Sequence, residues 1–154
     1  MRRQEVAMPV TTRPVTPADR SGWDPLYAGY AELYRVDQTT VMRDRVWSWL
    51  MDPAHPVTGF VAEAENGLIG LAHCRPFARP LSATTGGYLD DLFVAPASRG
   101  TGAAEALVAA VRTHGVAQGW SVIRWITAED NARARALYAR IATQTRWVTY
   151  DIPL

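Results

Sequence analysis

Tyr88-Leu89-Asp90-Asp91-Leu92-Phe93-Val94 reads as a strand closed by Ala95-Pro96, and Arg99-Gly100-Thr101-Gly102-Ala103-Ala104 follows after a few small residues. Ala104, Leu107, Val108 and Val111 then recur at helical spacing, so the glycine-rich turn joins a buried strand to an amphipathic helix. Small residues let the backbone approach a ligand closely. The unpaired first-turn N–H groups and the positive end of the helix dipole favour a pyrophosphate there, and Arg99 adds a charge-assisted contact. The turn does not suit two familiar nucleotide folds. A dinucleotide fingerprint needs a third glycine or alanine where Glu105 stands, and a triphosphate loop needs a lysine that the chain does not contain. Diphosphate binding of another kind remains.

Upstream, Thr58 to Ala64 and Leu68 to Cys74 form a β-hairpin around Asn66-Gly67. Arg75 to Gly87, with two prolines and two glycines, reads as a loop. A short strand is expected over Val10 to Val15. A first helix is expected from Asp24-Pro25, as N-cap and first helical position, with Leu26, Tyr27, Tyr30, Leu33 and Tyr34 at helical spacing. A second helix presents Met42, Val46, Trp49 and Leu50 on one face and stops at Asp52-Pro53. Downstream, Gly115 or Gly119 ends the glycine-turn helix, and Val122 to Ile126 is a buried strand. Asp130 or Asn131 caps a last helix with Ala134, Leu137, Tyr138 and Ile141 on its apolar face, and Arg146 to Tyr150 is a closing strand. This order predicts one α/β (α+β) domain over residues 1–154, a mixed sheet covered by helices, with residues 1–8 as a flexible start.

The turn at Arg99 to Ala104 matches the Q/R-x-x-G-x-G/A coenzyme A signature, and on it the chain resembles the Gcn5-related N-acetyltransferase (GNAT) family. Tyr88 to Val94 with Pro96 resembles that family's fourth strand, and Asn131 to Tyr138 its Asn-then-Leu-Tyr helix. The resemblance implies a mostly antiparallel sheet of about six to seven strands flanked by four helices. It also implies acetyl-CoA as co-substrate and a primary amine as acceptor. The nearest patterns are the polyamine- and histone-type members. By the same resemblance the backbone of Leu92, Phe93 and Val94 holds the pantetheine arm where two strands splay apart. Arg99, Gly100, Thr101, Gly102, Ala103 and Ala104 hold the pyrophosphate, and Asn131 steadies the coenzyme. The sequence departs from the family after Tyr138, where Arg140 to Thr145 lacks the usual Gly-Phe turn.

An alkylammonium with a pKa of about 10.4 is only about one part in a thousand neutral at pH 7, so transfer needs a base. The departing thiolate needs an acid. Asp90 stands where related members carry a glutamate, one methylene longer, and is the base candidate, directly or through a water. Loop or cap hydrogen bonding is its competing role. Asp90 and Asp91 are expected on opposite faces of the strand. Tyr138 matches the family's general acid, with core packing as the alternative. Tyr27, Tyr30 and Tyr34 either line the acceptor site or fill the core.

The remaining composition narrows the partners. Sixteen basic residues against 15 acidic give a net charge of +1, which provides no field for nucleic acid or an anionic membrane. All 16 are arginine, which excludes Schiff-base and phosphate-loop lysine chemistry. This reflects either an enzyme without side-chain amines to self-acetylate or simple codon bias. The single cysteine, Cys74, fits a reducing, cytoplasmic compartment and reads as a small buried residue rather than an acyl carrier. His55, His73 and His114 lack metal-ligand spacing, so no metal is expected. Edge strands that pair between subunits suggest a homodimer.

Overall fold

The computed structural model describes residues 9–154. The flexible start expected over residues 1–8 lies outside the described residues. Five strands form one sheet in the order β1 (Thr11–Pro14), β2 (Thr58–Ala64), β3 (Gly67–Arg79), β4 (Thr84–Val94), β5 (Ile123–Arg124). Neighbours are antiparallel except β4 and β5, which run parallel across the connection through α3 (Ala103–Gln118). The helices α1 (Arg20–Leu33) and α2 (Thr40–Leu50) precede β2, and α4 (Ala132–Ile141) follows β5. No helix among the described residues is long and apolar enough to cross a membrane.

Alternation along the strands sends side chains to two cores, one on each face of the sheet. Ala72, Cys74 and Leu89 pack with Leu107 and Val111 of α3. Leu71 and Phe93 pack with Trp23 and Leu26 of α1. Fully burying a side chain of this size contributes about 1.5–3 kcal/mol, so these two clusters fix the sheet between α1 and α3.

The first helix does not start at Asp24-Pro25. A 3-10 turn at Pro17–Asp19 leads directly into α1 at Arg20, and Pro25 lies inside the helix. Asp19 accepts a hydrogen bond from the Thr16 amide at 2.8 Å and is clamped by Arg13 at 2.7 and 2.9 Å, which sets the start. Proline forfeits one helical hydrogen bond; burial of Trp23 and Leu26 on either side of it offsets that loss. Asp24 instead accepts from Arg20 and Arg43. In α2 the inward-facing, half-buried stripe is rotated from the expected one. Val46, Trp47 and Leu50 face the α1 cluster, while Met42 and Trp49 are exposed, Trp49 stacked on His55. Trp47 sits 5.1 Å from Trp23 between ring centroids, which draws that side of the helix inward.

Arg75 to Gly87 is not a loop but the continuation of one long hairpin, with Arg75 opposite Tyr88 and Arg79 opposite Thr84. Its glycines serve packing rather than turning. A Cβ on Gly87 would lie 2.0 Å from the Trp120 ring, so only glycine lets that indole cover the strand.

The strand expected over Val122 to Ile126 shrinks to two residues, paired with Gly87 and Tyr88. The expected strand Arg146 to Tyr150 pairs with nothing among the described residues, and Trp147 and Tyr150 are 86% and 90% exposed. β5 ends at Arg124 and offers too short an edge to receive it. Five strands therefore stand among the described residues where six to seven were expected.

Candidate active site

The site opens where β4 leaves β5. The parallel ladder stops at Tyr88 and Arg124, so the edge of β4 from Leu89 to Val94 that faces away from β3 carries no strand. A β-bulge causes the divergence. His73 pairs with Asp91 and Cys74 with Leu89, which leaves Asp90 as the extra residue, and a bulge bends its strand. The wedge is lined by Leu89, Asp90 and Leu92 of β4, by Trp125, Ile126 and Thr127 beyond β5, by Tyr138 of α4, and by Tyr30 and Tyr34. The candidate base and the candidate acid therefore share one cleft.

The bulge also overturns the expected opposition of Asp90 and Asp91. Asp90 meets Arg75 and Asp91 meets His73, and these partners, two apart on β3, share a face. The extra residue cancels the alternation and places both carboxylates on the α1 side. Their surroundings separate them. The Trp23 indole N–H donates to His73 Nε2 at 3.0 Å, so the imidazole proton sits on Nδ1 and is donated to Asp91 Oδ2 at 2.8 Å. The Tyr27 hydroxyl donates to the same oxygen at 3.0 Å. Asp91 is thus engaged inside the fold.

Asp90 faces the cleft, with the Arg75 Nε at 3.0 and 3.2 Å from its two oxygens. Burial raises its pKa above the ordinary carboxylate value. Arg75 opposes this, and the like charge of Asp91 adds to it. Such a carboxyl is better matched to accepting a proton near neutral pH than an ordinary aspartate. Burial also raises the Tyr138 phenol, which keeps it protonated, and its ring packs edge-on against Trp125 at 5.3 Å.

The three tyrosines divide by role. Tyr30 and Tyr34 line the cleft, whereas Tyr27 is spent on Asp91 and packs edge-on against His73 at 4.8 Å. A wider depression at the α1–α2 connection, around Arg35 to Thr39, shares no lining residue with the cleft. Cys74 is fully buried and its thiol is pushed up to about 12, which suits packing and not acyl transfer. Among the described residues no three His, Cys, Asp or Glu side chains gather as a metal-binding group.

Just beyond Val94 the chain turns through Pro96–Ser98 into the glycine-rich loop. Gly100 and Gly102 both take φ of 82°, a left-handed conformation that favours glycine, and a Cβ on either would meet no atom within 4 Å. Gly102 is the N-cap of α3 and supplies no side-chain cap. The amides of Ala103, Ala104 and Glu105 therefore point outward without an acceptor among the described residues. Asn131 caps α4, its Oδ1 accepting from the Ala134 amide at 3.3 Å.

Over residues 23–142 the sequence matches the Acetyltransferase (GNAT) family. The chain belongs to that family. As a GNAT member it is an enzyme that transfers an acetyl group to an amine. A D-amino-acid N-acetyltransferase of Saccharomyces cerevisiae is 24% identical over 143 residues, covering 92% of this chain and 89% of the yeast protein. Among solved structures, a ribosomal-protein-alanine N-acetyltransferase of Brucella melitensis biovar Abortus 2308 superposes with a TM-score of 0.78 at 22% identity, covering 95% of this chain and 99% of that one. An aminoglycoside N-acetyltransferase in complex with CoA gives 0.79 at 19%, covering 95% of each chain. At such identities these structures share the fold.

Sequence reading missed His73, Arg75 and Trp125 at this site. A histidine inside the apolar run Leu68 to Cys74 was the available signal, since a buried imidazole needs partners.

Proposed function

We propose that this GNAT enzyme binds acetyl-CoA along the open edge of β4 and acetylates a primary amine by direct attack in a ternary complex. The observation that carries this reading is the cleft at the splay of β4 and β5 that Asp90 and Tyr138 both line. The backbone of Leu92, Phe93 and Val94 receives the pantetheine arm, Arg99 to Ala104 the pyrophosphate, and Asn131, whose Nδ2 has no partner among the described residues, a further part of the coenzyme. Asp90, directly or through a water, takes the proton from the acceptor ammonium. The nitrogen bonds to the acetyl carbonyl carbon, the C–S bond breaks, and the electron pair leaves on sulfur. Tyr138 gives its proton to that sulfur, and the phenolate so formed takes the second proton that the nitrogen sheds as the amide forms, while the proton on Asp90 passes to solvent.

The test is acetyl-CoA-dependent thiol release across a panel of amines, with the mass of the product measured. Release above hydrolysis and a gain of one acetyl group are expected. Coenzyme binding without release for any amine would replace this reading with a sensor that only binds acetyl-CoA.

The protein further acts as a homodimer in the cytoplasm, without nucleic-acid or membrane partners. Its exposed Trp147, Val148, Tyr150, Ile152 and Leu154 support the dimer, and its near-neutral charge and single buried thiol support the rest. Light scattering is expected to give twice the chain mass; a monomer at micromolar concentration would dismiss the dimer.

A further inference from the structure

Resting on the acetyl-transfer reading above, we infer that the acceptor is an amino acid, its amine held at Asp90 and its carboxylate at Arg75. Arg75 spends only its Nε on Asp90, at 3.0 and 3.2 Å. Neither terminal nitrogen makes a hydrogen bond or ion pair among the described residues. The guanidinium is nevertheless fixed, because it lies 5.0 Å above the Tyr88 ring and is bound to Asp90 on one edge. An arginine held by Nε presents its Nη1 and Nη2 as a planar fork, the geometry that takes a carboxylate through two parallel hydrogen bonds. Its side chain is 41% exposed, so the fork is open to a small molecule.

Position and charge point to the same class of ligand. Arg75 touches Asp90 directly, so the two sites lie side by side, as the amine and carboxylate of an α-amino acid do across one carbon. Among the described residues Asp90 is the one charged side chain lining the cleft, and Arg75 balances it. A zwitterion, with one charge of each sign, complements that pair. A polyamine or aminoglycoside brings several ammonium groups and finds no second free carboxylate among the described residues lining the cleft, and the neighbouring Asp91 is already bound by His73 and Tyr27.

The test compares thiol release with phenylalanine and leucine, each in both enantiomers, against phenethylamine and isoamylamine, with spermidine and an aminoglycoside as polycations. For at least one amino acid, kcat/KM is expected to exceed that of its decarboxylated counterpart by about tenfold or more, one charge-assisted contact being worth that much. Arg75→Gln should collapse this ratio toward one, chiefly by raising the KM of the amino acid, and Arg75→Lys, which keeps the charge but not the fork, should restore part of it. Should Arg75→Gln fail to fold, the wild-type ratio alone decides. Equal or better turnover of the decarboxylated amines or the polycations would overturn the inference while leaving acetyl transfer intact, as would an Arg75→Gln variant that lowers kcat/KM equally for both members of a pair. Absence of release with every amine would defeat the acetyl-transfer reading itself, and this inference with it.

Discussion

Asp90→Asn is expected to lower kcat by about 10²–10⁴-fold, the span a positioned base contributes, while acetyl-CoA affinity stays nearly unchanged. Asparagine keeps the shape of the side chain and can still accept a hydrogen bond from Arg75, so the loss isolates the carboxylate's proton affinity from the packing around it. The pH profile gives a second readout. Burial lifts the Asp90 carboxyl above its ordinary value, with Arg75 opposing and Asp91 assisting. The ionised form is the base, so kcat/KM should rise with pH through that elevated pKa and be lost below it. The substitution should erase this acidic limb. Asp90→Glu should keep most of the activity, since it restores the chain length found in related members. A profile from about pH 4 to 9 in which wild type and Asp90→Asn share the same acidic limb would remove Asp90 from the chemistry.

The parts of this molecule legible in its sequence are those set by local rules. The Asn66-Gly67 turn, the helical stripe from Ala104 to Val111 and the capping Asn131 each declare themselves within a few residues, and each is found where expected. What was illegible depends on contacts distant in sequence. Gly87 looks like a loop residue until Trp120, more than thirty positions on, is seen to need the space above the strand, and Gly86 looks like one until the Phe77 ring is seen lying across it. Pro25 looks like a helix start until Arg13 and Asp19 establish an earlier one. The bulge at Asp90 has no local signature, yet it turns both acidic residues to one side and separates β4 from β5. The cleft itself was half visible. Asp90 and Tyr138 could be named from pattern, but Arg75, hidden in a stretch read as a loop, could not.

Gly102→Val should weaken acetyl-CoA binding by about 10²-fold, the equivalent of about 3 kcal/mol. Valine is poorly tolerated at a φ of 82°, so the backbone must rotate toward negative φ and carry the neighbouring amides with it. Two charge-assisted hydrogen bonds to a phosphate, at about 1.5–3 kcal/mol each, are then lost or lengthened. The altered backbone also costs folding stability, so a control with comparable strain is required. Gly67 at the β2–β3 turn has a φ of 119° and equally open surroundings, and it lies outside the coenzyme loop. Gly67→Val should lose a similar 1–3 kcal/mol or so of stability yet bind acetyl-CoA as the parent does. Calorimetric binding together with thermal melts on both variants separates the effects. Parent-like affinity in Gly102→Val, with the protein folded, would mean that the amides at the start of α3 do not hold the pyrophosphate, because no ligand bound through them could survive their reorientation.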